Sequence, residues 1–205
     1  MAHIKHLLSL VEIYVSVPNT VVNAIRYAAQ GMTICRQRGL ETYYANFAVH
    51  MAHALMITTN EYDKAQKLLD QASSQLVRNG SVLDLGNLYM VTGKLYVLRA
   101  KQQDNSLLVQ QALKSFSEAK AEFQRVQAIG KLMQVLFLEA QTLNAANMVQ
   151  QRDTAAQRYA QLLECKKQRS APQSMTNHNQ FASLLRSIRD IIVAGAEGKL
   201  TSLDL

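Results

Sequence analysis

Short turn signals divide the sequence into segments of helical length, and this division constrains the fold more than any other feature. The turn signals include Pro18-Asn19-Thr20, Arg38-Gly39, Thr59-Asn60, Asn79-Gly80, Asp104-Asn105 and Ala146-Asn147. The predicted helices span residues 3-16, 21-38, 41-58, 61-78, 82-103, 106-127, 129-146 and 151-169. No segment has the strict alternation and the β-branched clustering of a strand, so we predict an all-α fold.

The eight predicted helices should form four hairpins, because helices joined by such short turns run antiparallel to their neighbours. In a tetratricopeptide repeat the first helix has a small residue three before a large one, and the second has a small-large-small series spaced by four and three. The third hairpin matches this spacing with Gly93 and Tyr96, followed by Ala112, Phe116 and Ala119. Small residues at these positions let the helix backbones approach closely.

The other hairpins carry less complete copies of the same spacing. The matching residues are Tyr14, Ala24, Ala28 and Gly31 in the first hairpin, Tyr62, Ala65, Leu69 and Ala72 in the second, and Ala140 and Leu143 in the fourth. In the fourth hairpin Arg152 stands where a small residue is expected. We therefore predict a tetratricopeptide-like solenoid in residues 1-169, with a plain helical bundle as the alternative that this spacing leaves open.

The repeat is longer than usual. Ala24, Ala65 and Ala112 are separated by 41 and 47 residues, whereas an ordinary tetratricopeptide unit has about 34. Tyr96 and Ala112 lie 16 positions apart, which adds about two helical turns, so the third hairpin should protrude from the stack.

The region after the repeats changes in composition. Residues 170-179 are rich in Ser, Asn and Gln and are predicted to be a linker, and residues 180-205 are predicted to form a C-terminal helix and tail. The apolar stripe of this helix consists of Phe181, Leu184, Leu185, Ile188, Ile191 and Ile192. Such a stripe fits either a cap on the last hairpin or a helix that docks into a partner.

Composition excludes several classes of protein. Hydrophobic residues make up 48% and charged residues 18%, as in a folded chain. The net charge of +7 is scattered, and we interpret its densest run, Lys166-Lys167-Gln168-Arg169, as a solvated helix end because no aromatic residues alternate with it. Two cysteines make no disulfide framework, and no apolar stretch is long enough to span a membrane. We expect an intracellular protein.

The residues that could carry chemistry are isolated from one another. The pairs His3/His6 and His50/His53 lack further metal ligands at supporting spacings. Cys165 precedes two lysines but has no evident base or oxyanion site, and glycine-rich phosphate loops are absent. We therefore predict no catalytic residue, cofactor or metal, and a protein that is not an enzyme.

A helical-repeat protein does provide an extended surface for binding. If the first helices line the inner wall, its polar positions are His50, Asn87, Lys94, Gln134, Gln141 and Asn144. We predict that this set contacts a protein partner. The alternative for each position is an ordinary solvated residue.

Several stretches resemble, in order, the C-terminal tetratricopeptide region of the anaphase-promoting complex subunit 5 family. They are SLVEIY (9-14), LVRNGSVLDLGNLYMVTGKLYV (76-97), QQALKSFSEAKAEFQRV (110-126) and VLFLEAQTLNAANMVQQRDTAAQRYAQL (135-162). The resemblance implies a scaffold subunit of a cell-cycle ubiquitin ligase in which cullin-like and RING subunits supply the chemistry.

On this resemblance we expect the other subunits of that complex as partners, no small-molecule substrate, and a location in the nucleus and cytoplasm. Family members are much longer, so the resemblance also implies a C-terminal fragment or a truncated product. The alternative is a free-standing helical-repeat adaptor that binds acidic peptides or nucleic acid through its net charge of +7.

Overall fold

The computed structural model describes residues 2–17 and 19–170, and all regular secondary structure in these ranges is α-helical. The helices are α1 (Ala2–Ser16), α2 (Val21–Gln37), α3 (Glu41–Thr58), α4 (Tyr62–Asn79), α5 (Val82–Gln103), α6 (Ser106–Arg125), α7 (Ile129–Ala145) and α8 (Val149–Ser170). The predicted all-α class is confirmed. The predicted linker and C-terminal helix, residues 170-205, lie outside the described residues apart from Ser170, the last residue of α8.

Left-handed residues end most of the helices. Among the described residues, those with positive φ are Asn19, Gly39, Asn60, Asp104, Gln127 and Asn147. Asn, Asp and Gly adopt this conformation most readily, which explains why turn signals in the sequence located most breaks. Gln127 is the exception, and α6 ends at Arg125, two residues before its predicted end.

The hairpins stack in sequence order within the compact unit formed by residues 1–162. Each helix from α1 to α6 packs against the next, and the first helices of successive hairpins also pack against each other, α1 on α3, α3 on α5 and α5 on α7. The first helices therefore form one layer, and α2, α4 and α6 each pack between two of them.

Three hydrophobic cores follow one another along the stack, whereas a closed bundle would surround a single core. The first lies between α1, α2 and α3, and includes Val11, Ala28 and Phe47. The second lies between α3, α4 and α5, and the third between α5, α6 and α7, with Tyr159 and Leu162 of α8 packed against it. Each core thus includes the first helix of the next hairpin, which is the arrangement of a tetratricopeptide-like solenoid and decides against a plain bundle.

The small residues lie where two helices approach most closely. A Cβ atom on Gly93 would lie 2.5 Å from the ring of Phe116, and one on Gly86 would lie 2.5 Å from the ring of Phe123. Both phenylalanines are fully buried. Glycine is required at these positions of α5 because the rings of α6 occupy the space that any side chain would fill.

The residues that the sequence assigned to repeat packing occupy buried or half-buried positions. The buried ones are Ala24, Ala65, Leu69, Ala72, Gly93, Ala112, Phe116 and Ala119, and the half-buried ones are Tyr14, Tyr96 and Ala140. In α8 the buried small residue is Ala155, three residues after the expected position at Arg152. Arg152 instead lies at the surface and pairs with Asp153.

Candidate functional site

The layer of first helices brings together a group of ionisable side chains that we call the inner cluster. It consists of Glu12 of α1, His50 and His53 of α3, Lys94 of α5 and Lys131 of α7. The Lys94 Nζ atom lies 3.0 Å from Nε2 of His53. Lys131 Nζ donates a hydrogen bond of 2.5 Å to Oε1 of Glu12, which joins the first hairpin to the fourth. The layer of first helices therefore curves enough for α1 and α7 to meet through their side chains.

The two histidines of the inner cluster are neutral at neutral pH. Burial lowers the pKa of His50 to about 4; Glu12 and Asp84 oppose this shift, while Lys131 and Lys94 add to it. Burial also holds the pKa of His53 well below its ordinary value, and the charges of Lys94 and Lys131 and the neighbouring His50 lower it further. Because a lysine ammonium has only donors, Nε2 of His53 accepts from Lys94 and its proton lies on Nδ1.

The pKa values of Lys94 and Glu12 in the inner cluster are shifted as well. Burial lowers the pKa of Lys94 to about 8, and the charge of Lys131 contributes to the same direction. For Glu12, burial raises the pKa, but the hydrogen bond and the charge of Lys131 outweigh burial and the net pKa is lowered. Near neutral pH the cluster holds two ammonium groups and one carboxylate.

Asn87 lies on α5, two turns before Lys94 and on the same side of the helix. Its Oδ1 atom is buried and accepts no hydrogen bond from the residues that the structure describes. A buried amide oxygen without a donor is unfavourable by roughly 1–3 kcal/mol. This position can therefore accept a hydrogen bond from a water molecule or a ligand.

A cavity of about 660 Å³ opens next to the inner cluster, and we call it the tip cavity. It lies between the C-terminal parts of α3, α5 and α7 and the N-terminal half of α6. Its apolar lining includes Val97, Leu98, Leu113 and Phe116. His53 and Lys94 form part of its wall, so the cavity and the cluster share these two side chains.

The length of the third hairpin creates one side of the tip cavity. Helices α5 and α6 have 22 and 20 residues, against 15 to 18 in each helix of the first two hairpins. Residues 101–107, at the end of this hairpin, are all exposed. The third hairpin thus extends further than the two before it, and its extra turns form a wall above α7.

Some of the predicted binding residues belong to the inner cluster or the tip cavity, and others lie outside both. Lys94 and Gln141 line the tip cavity, and His50 belongs to the inner cluster. Gln134 is exposed on α7 outside both features. The Asn144 Oδ1 atom accepts a hydrogen bond from Nη1 of Arg152, at 2.9 Å, and so points to α8.

Sequence reasoning missed three members of the inner cluster: Glu12, His53 and Lys131. A signal existed for His53, because it follows His50 by three residues and must share its helix face. No local signal could pair Glu12 with Lys131, since 119 residues separate them. Cys35 is buried, which raises its pKa, and Cys165 is exposed.

Over the described ranges, no three His, Cys, Asp or Glu side chains are grouped as metal ligands. Within the same ranges, none of the eight helices has both the length and the apolar character needed to cross a bilayer.

The stacked cores, the layer of first helices and the tip cavity define a tetratricopeptide-like helical-repeat protein. The chain is similar to anaphase-promoting complex subunit 5 of Mus musculus, with 24% identity over 162 residues that cover 78% of this chain and 22% of that protein. The human and Pongo abelii proteins of the same name are 23% identical over the same length. The chain thus spans about a fifth of the length of these curated relatives. No protein-family model matches it. These matches support a distant relationship to subunit 5.

Proposed function

We propose that this chain is a non-catalytic scaffold subunit of an anaphase-promoting complex, the cell-cycle ubiquitin ligase, and contributes to ubiquitin-dependent control of mitotic progression. The observation that carries the proposal is the similarity to subunit 5 over 162 residues, a length close to that of the hairpin stack. On this proposal the chain acts by holding other subunits of the complex, and it works in the nucleus and cytoplasm.

An exposed apolar face on α1 suits such a role. Leu10 and Ile13 are 39% and 57% exposed and lie three residues apart, so they share one side of α1, and Val17, 45% exposed, follows directly after its end. Contiguous exposed apolar side chains are typical of protein interfaces. We expect this face to contact another subunit.

Affinity purification of the tagged chain from dividing cells, followed by mass spectrometry, tests the proposal. Other subunits of the anaphase-promoting complex should be recovered with the wild-type chain and lost or depleted with Ile13→Glu. The matched control is Val77→Glu, because Val77 is similarly exposed, at 59%, but lies on α4. Recovery of no other subunit with the wild-type chain would contradict the scaffold proposal. The same cells, imaged with a fluorescent fusion, test the proposed location.

A second candidate function is a free-standing adaptor that binds acidic peptides or nucleic acid. The net charge of +7 and the pair of lysines in the inner cluster favour it. Binding of this kind weakens steeply as salt rises, because counterions are released on association. A binding affinity that stays unchanged between low and high salt would favour the scaffold function instead.

A further inference from the structure

The tip cavity has the size and lining of a ligand site. Its volume of about 660 Å³ falls within the roughly 300–1,000 Å³ of typical ligand pockets. Four helices contribute apolar side chains to its wall, namely Met56, Val97, Leu98, Leu113, Phe116 and Leu138. A cavity with these walls favours large apolar groups.

Lys94 places a positive charge at one side of this apolar space. Its nearest polar partner is Nε2 of the neutral His53, at 3.0 Å. No carboxylate among the described residues lies within ion-pair distance of its Nζ atom. A half-buried ammonium without a counter-charge is unfavourable, and burial lowers the pKa of Lys94 to about 8.

The acidic groups near this lysine are engaged elsewhere or lie at the rim. Glu12 is bonded to Lys131, and the carboxylate of Asp84 accepts a hydrogen bond from the backbone of Ser81. Asp104 lines the exposed rim of the cavity together with Lys101, so the two rim charges offset each other. The charge of Lys94 remains for a ligand to neutralise.

The polar groups at the rim of the cavity favour a peptide over an aliphatic anion as the ligand. Gln110 of α6 and Gln141 of α7 line it, with Asn105 and Ser106 at the turn of the long hairpin. Amide and hydroxyl groups can bond both the N–H and the C=O groups of a peptide backbone. An alkyl chain would make no use of them.

We propose that the tip cavity binds a peptide segment of a partner protein, with one or two large apolar side chains filling the cavity and an adjacent carboxylate pairing with Lys94. The occupant is thus an acidic, apolar peptide. This inference rests on the proposed function only in that the chain binds other proteins, and it does not depend on which complex contains it.

An array of eight-residue peptides tests the proposal on the full chain. Each peptide carries Glu between Leu, Ile or Phe side chains, and each has a counterpart with Gln in place of Glu. We expect the best Glu peptides to bind about tenfold more tightly than their Gln counterparts, because only they neutralise the ammonium of Lys94. Equal binding of the two sets, or no binding by either, would overturn the proposal.

Variants locate the binding. Lys94→Met should weaken binding of the best Glu peptide by about tenfold and leave its Gln counterpart unchanged. Val109→Trp, which fills the cavity, should weaken both. The control is Lys114→Met, since Lys114 is exposed on the same helix as Val109 but does not line the cavity. Retention of full affinity by Lys94→Met would also refute the assignment.

Two further measurements cover the remaining outcomes. If dodecanoate binds the cavity and no peptide does, the occupant is a lipid-type anion and the proposal is wrong. If circular dichroism shows that Lys94→Met does not fold, NMR of the wild-type chain with ¹³C-methylated lysines decides: the pKa of Lys94 must rise when the Glu peptide is added. These results are independent of the purification from dividing cells, so either proposal can fail without the other.

Discussion

Gly93 shows how a single missing side chain fixes the distance between two helices. We expect Gly93→Ala to reduce the free energy of unfolding by about 1–2 kcal/mol, because overpacking against Phe116 outweighs the gain in helix propensity. Gly130→Ala is the control, since a Cβ atom there has no neighbour within 4 Å. Urea denaturation should show Gly130→Ala to be neutral or more stable by up to about 1 kcal/mol. Equal stability of the two variants would contradict the packing argument.

His50 makes the stability of the protein depend on pH. Its folded-state pKa of about 4 lies below the ordinary value of 6.5, so the unfolded state takes up a proton first as the pH falls. Stability present above about pH 6.5 is therefore lost towards pH 4, at up to about 1.4 kcal/mol per pH unit. His53 acts in the same direction, and Glu12 adds a loss below its ordinary pKa of 4.5.

Replacement of His50 by Gln should flatten this profile without removing it, because His53 remains. Urea denaturation at a series of pH values between 4 and 7 measures the slope. His3→Gln, on the exposed side of α1, provides the comparison and should keep the wild-type slope. A profile for His50→Gln that matches the wild type would show that the histidine is not held neutral.

At the scale of the helix, the start of α5 depends on a capping box. The Ser81 Oγ atom accepts from the backbone N–H of Asp84 at 3.2 Å, and Oδ2 of Asp84 accepts from the N–H of Ser81 at 2.8 Å. We expect Ser81→Ala to destabilise the protein by about 1 kcal/mol, as the loss of an N-cap typically does. Thermal unfolding measures it against Ser74→Ala, an exposed serine within α4, which should change stability by less than about 0.5 kcal/mol.

Helices and most turns could be predicted because their signals are local. Ser81 and Asp84 have the spacing of a capping box, which marks the start of a helix. Asn60, Asp104 and Asn147 follow helix ends in the left-handed conformation that their residue types favour. Gln127 adopts the same conformation without such a preference, so the end of α6 was misplaced. In the fourth hairpin the helix was predicted, but its buried small residue was not, since Ala155 lies nearly one turn further along α8 than the expected position at Arg152.

At the scale of the whole stack, contacts between distant hairpins were beyond sequence reasoning. Lys94 and Gln141 were predicted as binding residues from helix periodicity alone, but the tip cavity depends on how far the third hairpin extends past α7. The contact between Glu12 and Lys131 depends on the curvature of the layer of first helices. Curvature accumulates from small rotations at each interface, and no single stretch of sequence encodes it.

The pair of Glu12 and Lys131 should restrict this curvature more than it stabilises the fold. Its side chains are 44% and 29% exposed, so we expect Glu12→Gln to change stability by less than about 1 kcal/mol. Spin labels at Ser9 of α1 and Gln134 of α7, in a Cys165→Ser background, should nevertheless report a broader distance distribution by double electron–electron resonance. Glu61→Gln removes an ion pair within one hairpin and should leave the distribution unchanged; a broadening by both variants, or by neither, would count against this role.

Because each of the three cores extends beyond one hairpin, the units that unfold cooperatively should differ from the hairpins. The side chain of Phe47, on the first helix of the second hairpin, completes the core of the first, while Ala48 and Val49 of the same helix belong to the next core. A cut in the turn between α2 and α3 would therefore remove the ring that covers Gly31 and leave the first hairpin with an open face. The smallest piece with a closed core is a hairpin plus one helix. Unfolding that begins at either end should accordingly advance through helices shared by two cores, which couples neighbouring repeats in the manner of a one-dimensional chain.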